Sequence, residues 1–264
     1  MISLEGVRKC FDDQVILENI SFQITTGERV AILGPGGCGK STILKIILGL
    51  LNIDAGSVRL LGADMVAGSE ISKIETLTQV GMAFQQGGLF DSMTVRENVA
   101  FAIANMTKMP KDQIDERIQE LLEGVKLPRS ADQFPFELSG GMQRRVGIAR
   151  AMATHPVVGI FDEPTSGLDP VTSTVILNMI IELASKNKDS CQVIATSNVE
   201  IAIRFADRIL LVNDGIVIAD GPWQKLLMEG SDWVRHFLSA RLIGLDPEYM
   251  QELHLPGEFI AQYS

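Results

Sequence analysis

The chain has 264 residues, 46% hydrophobic and 21% charged, which is apolar enough for a core and too weakly charged for a disordered chain. That length fits one large α/β domain, alone or with small attachments. A net charge of −10 argues against a nucleic-acid surface, which needs a basic patch, and three scattered cysteines (Cys10, Cys38, Cys191) fit reduced thiols rather than a disulfide frame or a metal site.

In chain order, the N-terminal "ISLEGVRKCFDDQVILENISFQI" alternates with turns and predicts antiparallel hairpins. Its first ten residues lack the basic-then-apolar order of a signal peptide. "RVAILG" (Arg29–Gly34) predicts a buried strand, and "KSTILKIILGLL" (Lys40–Leu51) a helix. Ile43–Leu51 is the nearest approach to a membrane span, but it falls well short of roughly 18 residues and contains Lys45. The chain is therefore expected in the cytosol, meeting a membrane only through a partner. A helical insertion is expected from about Gln86 to His155, with one helix at Lys111–Leu127. Strands are predicted at Pro156–Glu163, Gln192–Ser197 and Arg208–Asp214, with helices between them at Pro170–Lys186 and Val199–Ala206. That alternation implies a parallel sheet, hence an α/β fold. After "DWVRHFLSARL" the tail reads as polar and irregular.

"GPGGCGKST" (Gly34, Pro35, Gly36, Gly37, Cys38, Gly39, Lys40, Ser41, Thr42) matches the P-loop pattern. Glycines let backbone N–H groups turn around phosphates, the lysine reaches the terminal phosphates, and the Ser41 hydroxyl can ligate Mg²⁺. The same letters satisfy a dinucleotide fingerprint through Gly34, Gly36 and Gly39, with Asp54 as the ribose partner. Lys-Ser directly after the last glycine weighs against that reading. "VVGIFDEP" supplies an acidic pair at a strand end, with Asp162 for the Mg²⁺ shell and Glu163 to orient or deprotonate water. A second glycine pair stands in "LSGGM", where Ser139 is a good N-cap and Gly140 and Gly141 allow close approach. It reads either as a capped helix or as an anion site at a helix N-terminus, in which case it would complete the site of a second copy.

The ordered set "GPGGCGKST", "FQQGGLFDSMTVRENV", "LSGGMQRRVGIARA" and "GIFDEPTSGLD" resembles the nucleotide-binding subunit of an ABC transporter, over about Ile2 to Phe237. The resemblance implies a P-loop NTPase core, an N-terminal antiparallel β subdomain and an inserted helical subdomain (86–155). The ATPase domain would span 1–240, and 241–264 would be an extension. It also implies ATP and Mg²⁺ as ligands, and a head-to-tail homodimer in which Ser139, Gly140, Gly141 and Gln143 close on the partner's nucleotide. By the same resemblance, Phe11 stacks on adenine, although as an aromatic beside a turn it could equally be core. Gln85 senses Mg²⁺ and water, and Asp169 ends a loop crossing between the sites. Where the family usually carries a histidine facing the γ-phosphate, this chain has Asn198, which cannot become cationic.

"FQQGGLFDSMTVRENVAFAI" and "SDWVRHFLSA" are similar to the ATPases of Mla-type, Mce-associated systems that move phospholipids between bacterial membranes. This implies the cytoplasmic face of the inner membrane and a permease docking near Leu89 and Phe90. An Mce-type substrate-binding protein and a small accessory subunit are further implied partners, while nucleic acid is not. An importer for amino acids is the competing reading, and a soluble ABC ATPase the third. Trp233, Val234, Phe237, Leu238, Leu242 and Leu245 are expected to share a helical face, packing on their own domain or clasping a sister subunit.

Overall fold

A computed structural model describes every residue except 85–87, 108, 241, 244, 246 and 264, and all side chains among these but 111, 112, 247, 262 and 263. Strand β1 (Ile2–Phe11) pairs antiparallel with β2 (Gln14–Ile24), from Ile2 opposite Ile24 to Phe11 opposite Gln14. Alternation turns Ile2, Leu4, Val7, Leu17, Ile20 and Ile24 into the core. The next strand, β3 (Arg29–Leu33), runs through the glycine loop into α1 (Lys40–Ile47). The chain then returns in β4 (Ala55–Leu60) and β5 (Ala63–Asp64), completing a four-stranded sheet of order β2-β1-β4-β5. Helix α2 (Glu70–Leu77), capped by Ser69, leads into β6 (Val80–Ala83).

Three helices follow, α3 (Val95–Met106), α4 (Lys111–Gly124) and α5 (Gly140–Ala151), which pack on one another. A Thr94/Glu97 capping box starts α3, satisfying N–H groups that the first turn leaves free. Strand β7 (Val158–Asp162) resumes the sheet, followed by α6 (Pro170–Ser185), β8 (Cys191–Thr196), α7 (Val199–Phe205), β9 (Arg208–Asn213) and β10 (Ile216–Gly221).

The second sheet has the order β10-β9-β3-β8-β7-β6, parallel throughout except for β10. Its parallel strands are buried on both faces, as parallel sheets require, while β10 is partly exposed. Val30, Ile32, Ile160 and Val193 face the antiparallel sheet and α1, whereas Ala31, Leu33, Phe161 and Ile194 face the helices. The loops after β3, β7 and β8 therefore leave from the same edge, the carboxyl edge where α/β folds bind ligands.

The tail corrects the sequence reading. Beyond α8 (Trp223–Glu229) and α9 (Asp232–Ser239) it forms α10 (Pro247–Glu252) and α11 (Gly257–Tyr263) rather than irregular chain. Met250, Leu253, Leu255 and Phe259 are buried in the main core, each contributing about 1.5–3 kcal/mol by burial. Two short helices interrupted by prolines and a glycine show too few turns for a 3.6-residue period to be read. The expected six-residue stripe is also split, because α9 ends at Ser239. Val234, Leu238 and Leu242 are buried against the chain's own domain, while Trp233 is 42% exposed and stacks on Phe237 at 5.1 Å.

Candidate functional site

Gly34 ends β3 under a tight constraint, since a Cβ there would lie 2.1 Å from the Val212 carbonyl oxygen. Gly37 and Gly39 have φ of 81° and 104°, in the region that favours glycine. The loop they form opens directly onto α1, whose N-cap Gly39 offers no side-chain acceptor. The first-turn N–H groups are thus left for an anion. Lys40 is 5% exposed and donates to Gly34 O at 2.9 Å and Pro35 O at 2.8 Å. A cleft of about 380 Å³ lies over this loop, lined by Phe11, Ile16, Gly36, Gly37, Lys40, Ser41, Thr42 and Glu163 among others. Phe11 is 45% exposed at its mouth, with the Lys9 ammonium 5.2 Å from its ring centroid, so it is not a core residue. Ile16, on the partner strand, carried no signal in the sequence. Cys38, a member of the glycine-loop motif, does not line this cleft. Its thiol is buried beneath the loop in the core, and burial pushes its pKa up, so only its backbone belongs to the cradle.

At the end of β7, Ser41 Oγ donates to Asp162 Oδ1 at 3.0 Å. Burial raises the pKa of the Asp162 carboxyl. Glu163 follows at φ 44°, a left-handed conformation that costs roughly 1–2 kcal/mol. That turn aims the side chain back over the loop, where it is held on both sides. Oε1 stands 3.7 Å from Lys40 Nζ, and Oε2 accepts from Thr196 Oγ1 at 3.4 Å. Asp54, the ribose partner of the dinucleotide reading, instead accepts the Cys10 N–H at 2.5 Å and pairs with Lys9 at 3.5 Å.

The Ser41 hydroxyl and the Asp162 carboxylate are hard oxygen donors suited to Mg²⁺, and a divalent cation would keep the buried carboxyl ionised. No group of three or more His, Cys, Asp or Glu residues gathers among the described residues. The pair supplies two oxygen donors, and Mg²⁺ takes its remaining ligands from phosphate and water. Gln85 lies outside the described residues.

Asn198, at the end of β8, caps α7, with Oδ1 accepting the Ile201 N–H at 3.2 Å. It lines a second cleft of about 430 Å³ with Glu163, Ser166, Gly167, Leu168 and Glu200 among others. Glu163 thus stands between the two clefts. His155 lies before β7, with Nδ1 3.4 Å from Arg117 Nη2.

Ser139 caps α5 by accepting the Met142 N–H at 3.3 Å. A Cβ on Gly140 would meet open space, and one on Gly141 would touch Leu168 and Thr172 at 3.7 Å. The Gln143 amide donates to Pro135 O at 2.8 Å and Leu138 O at 3.3 Å. Asp169 caps α6, accepting the Thr172 N–H at 2.9 Å and its hydroxyl at 2.6 Å; the hydroxyl bond is the largest cause of its lowered pKa. Ser139, Gly140, Gly141, Gln143 and Asp169 do not line the cleft over Lys40. The arginines of α5 hold the fold together: Arg144 donates to Ser166 O, Arg145 to Val125 O and Arg150 to Gly88 O.

A third cleft, about 320 Å³, is lined by Met82, Phe84, Gly88, Phe90, Phe101, Met106 and Arg150 among others. Phe90 is 40% exposed there, 4.9 Å from Phe101. Leu89 does not line it as expected but packs against the main core.

A profile of the ABC transporter family matches residues 17–166. The chain belongs to that family. As an ABC transporter ATP-binding subunit it takes ATP with Mg²⁺ and hydrolyses it, and cassettes of this kind work as dimers beside a membrane permease. Among the described residues, no helix of this ABC subunit is long and apolar enough to cross a membrane. One similar solved structure is a dimeric post-hydrolysis ATP-binding cassette bound to ADP and Pi, with a TM-score of 0.77 and 31% identity over 84% of this chain and 98% of the other. Protein trigalactosyldiacylglycerol 3, chloroplastic, of Arabidopsis thaliana is 35% identical, over 92% of this chain and 75% of its own length. A glutamate transport ATP-binding protein of Corynebacterium efficiens is 38% identical, over 83% and 90% respectively. A probable ribonucleotide transport ATP-binding protein of Mycobacterium leprae is 36% identical, over 92% and 70%.

Proposed function

We propose that this ABC ATPase drives a phospholipid transporter of the Mla type at the cytoplasmic face of the inner membrane, as a head-to-tail homodimer. Residues 1–240 form the ATPase domain, with the helical subdomain 86–155 inserted, and 241–264 form the extension. The observation that carries the catalytic reading is the placement of Glu163 between Lys40 and Thr196, one residue from the Ser41–Asp162 pair. The Gly34–Thr42 backbone and Lys40 hold the phosphates, and Phe11 stacks on the base. Ser41, Asp162 and Gln85 hold Mg²⁺, which neutralises phosphate charge when bound. Glu163 takes the proton of the attacking water. Ser139, Gly140 and Gly141 present the α5 N-terminus to the nucleotide of the second copy. Gln143 serves this site by fixing the loop before Ser139, and Asp169 by capping the helix after the crossing loop.

Two things support the lipid substrate: the "GGLF" stretch, of which Gly88 and Phe90 line the third cleft, and a relative named for a galactolipid. The importer reading is favoured by the glutamate transport relative. Affinity purification from native membranes separates the two. Co-purification of a permease with phospholipid and an Mce-type protein supports the lipid reading, and a soluble amino-acid-binding protein in their place overturns it.

The third cleft fits an inserted helix of the permease, with Phe90 as its floor. Phe90→Asp is expected to abolish permease association. Its melting temperature should stay within about 2 °C of the parent, because a half-exposed side chain contributes little to the core. A collapsed melting temperature would assign Phe90 to the core instead.

Asn198 offers the γ-phosphate only a neutral amide, a weaker donor than a charged imidazole. Asn198→His is expected to raise kcat by up to about tenfold, equivalent to roughly 1.4 kcal/mol of barrier. Losing the Asn cap on α7 should cost about 1 kcal/mol of stability. Steady-state ATPase assays on the membrane-assembled complex check this, and an unchanged or lower kcat would contradict it.

A further inference from the structure

Helix α10 of the tail brings one polar side chain to the edge of the second cleft. The Tyr249 hydroxyl donates to the Glu200 carboxylate and accepts from Arg204 Nη1 at 3.3 Å. The same guanidinium nitrogen donates to Thr174 Oγ1 on α6 at 3.2 Å and stands 3.7 Å from Glu200. One phenol therefore ties α10, α7 and α6 together.

From Glu200 a connected path leads to the chemistry. Glu200 sits in the first turn of α7, two residues after its cap Asn198, and lines the cleft with Asn198 and Glu163. The Asn198 N–H donates to Thr196 Oγ1 at 3.1 Å, and that hydroxyl donates to Glu163 Oε2 at 3.4 Å. A hydroxyl has one proton, and accepting from Asn198 on one lone pair restricts the directions in which Thr196 can donate. Helix α7 has only seven residues and takes its orientation from tertiary contacts: Val199, Ile201, Ala202, Ile203 and Phe205 are buried in the core, while Arg204 and Glu200 tie its outer side to α6 and α10. If its first turn drifts, the Asn198 N–H leaves Thr196, the hydroxyl rotates, and Glu163 loses the anchor opposite Lys40.

We infer that Tyr249 is a positioning residue for ATP hydrolysis: through Glu200 it holds the first turn of α7, and through Asn198 and Thr196 the Glu163 carboxylate. It lines neither the cleft over Lys40 nor the second cleft. The tail thereby joins the catalytic apparatus in addition to closing the core. This rests on the reading of Glu163 as the base.

Tyr249→Phe deletes the hydroxyl and keeps the ring. In the purified full-length protein with ATP and Mg²⁺, kcat is expected to fall roughly three- to tenfold, with KM within about twofold of the parent. The melting temperature should move by no more than about 2 °C. Glu200→Gln keeps an acceptor oxygen and is expected to stay nearer the parent rate than Glu200→Ala. Tyr249→Phe combined with Glu200→Ala should be no slower than Glu200→Ala alone, because both remove one shared bond. A parent-like kcat in Tyr249→Phe overturns the inference, as does a loss of rate fully accounted for by unfolded protein. Glu163→Gln is assayed alongside. If it hydrolyses ATP at the parent rate, the reading of Glu163 as the base fails. If it is inactive while Tyr249→Phe is parent-like, only the positioning role fails.

Discussion

Glu163→Gln is expected to lower ATP turnover by about 10²- to 10⁴-fold, the usual contribution of a positioned general base, and to leave ATP bound. The amide keeps the shape of the carboxylate and one oxygen for the Thr196 hydroxyl, now 3.4 Å from Oε2. It cannot take a proton from water. It also removes a negative charge 3.7 Å from Lys40 Nζ, beside the place for phosphates, so ATP affinity should hold or rise. Glutamine tolerates φ of 44° no worse than glutamate does, so the fold should persist. With hydrolysis blocked, the variant should elute as an ATP-dependent dimer in size-exclusion chromatography. Turnover at the parent rate would falsify the assignment of Glu163 as the base.

The parts of this site legible in the sequence are those set by local chemistry. A glycine loop between a buried strand and a helix can be read from spacing alone, and Gly34, Gly37 and Gly39 adopt the geometry that spacing demands. Asp162 and Glu163 end an apolar strand because parallel strands put such residues on the carboxyl edge. Strand and helix alternation from Pro156 to Asp214 likewise survives with small shifts in the ends.

What escaped the sequence depends on contacts between distant segments. The Thr196–Glu163 bond joins residues 33 apart, and Tyr249–Glu200 joins residues 49 apart. No periodicity encodes such pairs. Cys38 sits within a motif whose backbone binds, yet its side chain points the other way, and a motif does not distinguish the two. Gln143, Arg145 and Arg150 of α5 look like ligand-binding groups in a list of residues, but they donate to carbonyls of the folded insertion. Strand β6 has only four residues and includes Gly81, where a Cβ would lie 2.0 Å from Ala151 O, so packing rather than β propensity selects it.

Lys40→Ala is expected to remove ATP binding, and the structure gives two separate reasons. The ammonium is the buried cation of the cradle, 5% exposed, and a charged hydrogen bond to phosphate is worth about 1.5–3 kcal/mol, or roughly ten- to a hundredfold in affinity. The same nitrogen also satisfies the Gly34 and Pro35 carbonyls at 2.9 and 2.8 Å, so its loss loosens the loop itself. Lys40→Met separates the two effects only partly, because it keeps the aliphatic stem and still leaves both carbonyls unpaired. The decisive readout is the nucleotide-dependent rise in melting temperature. For the parent, ATP at 100 times its dissociation constant stabilises the fold by about 2.7 kcal/mol through mass action. For Lys40→Ala a ten- to hundredfold weaker affinity leaves only about 0.4–1.4 kcal/mol at the same ATP concentration, and loosening of the loop should reduce it further, whatever the variant's own starting stability. A parent-sized ATP shift in Lys40→Ala would show that the loop backbone and the α1 N-terminus hold the phosphates without the lysine.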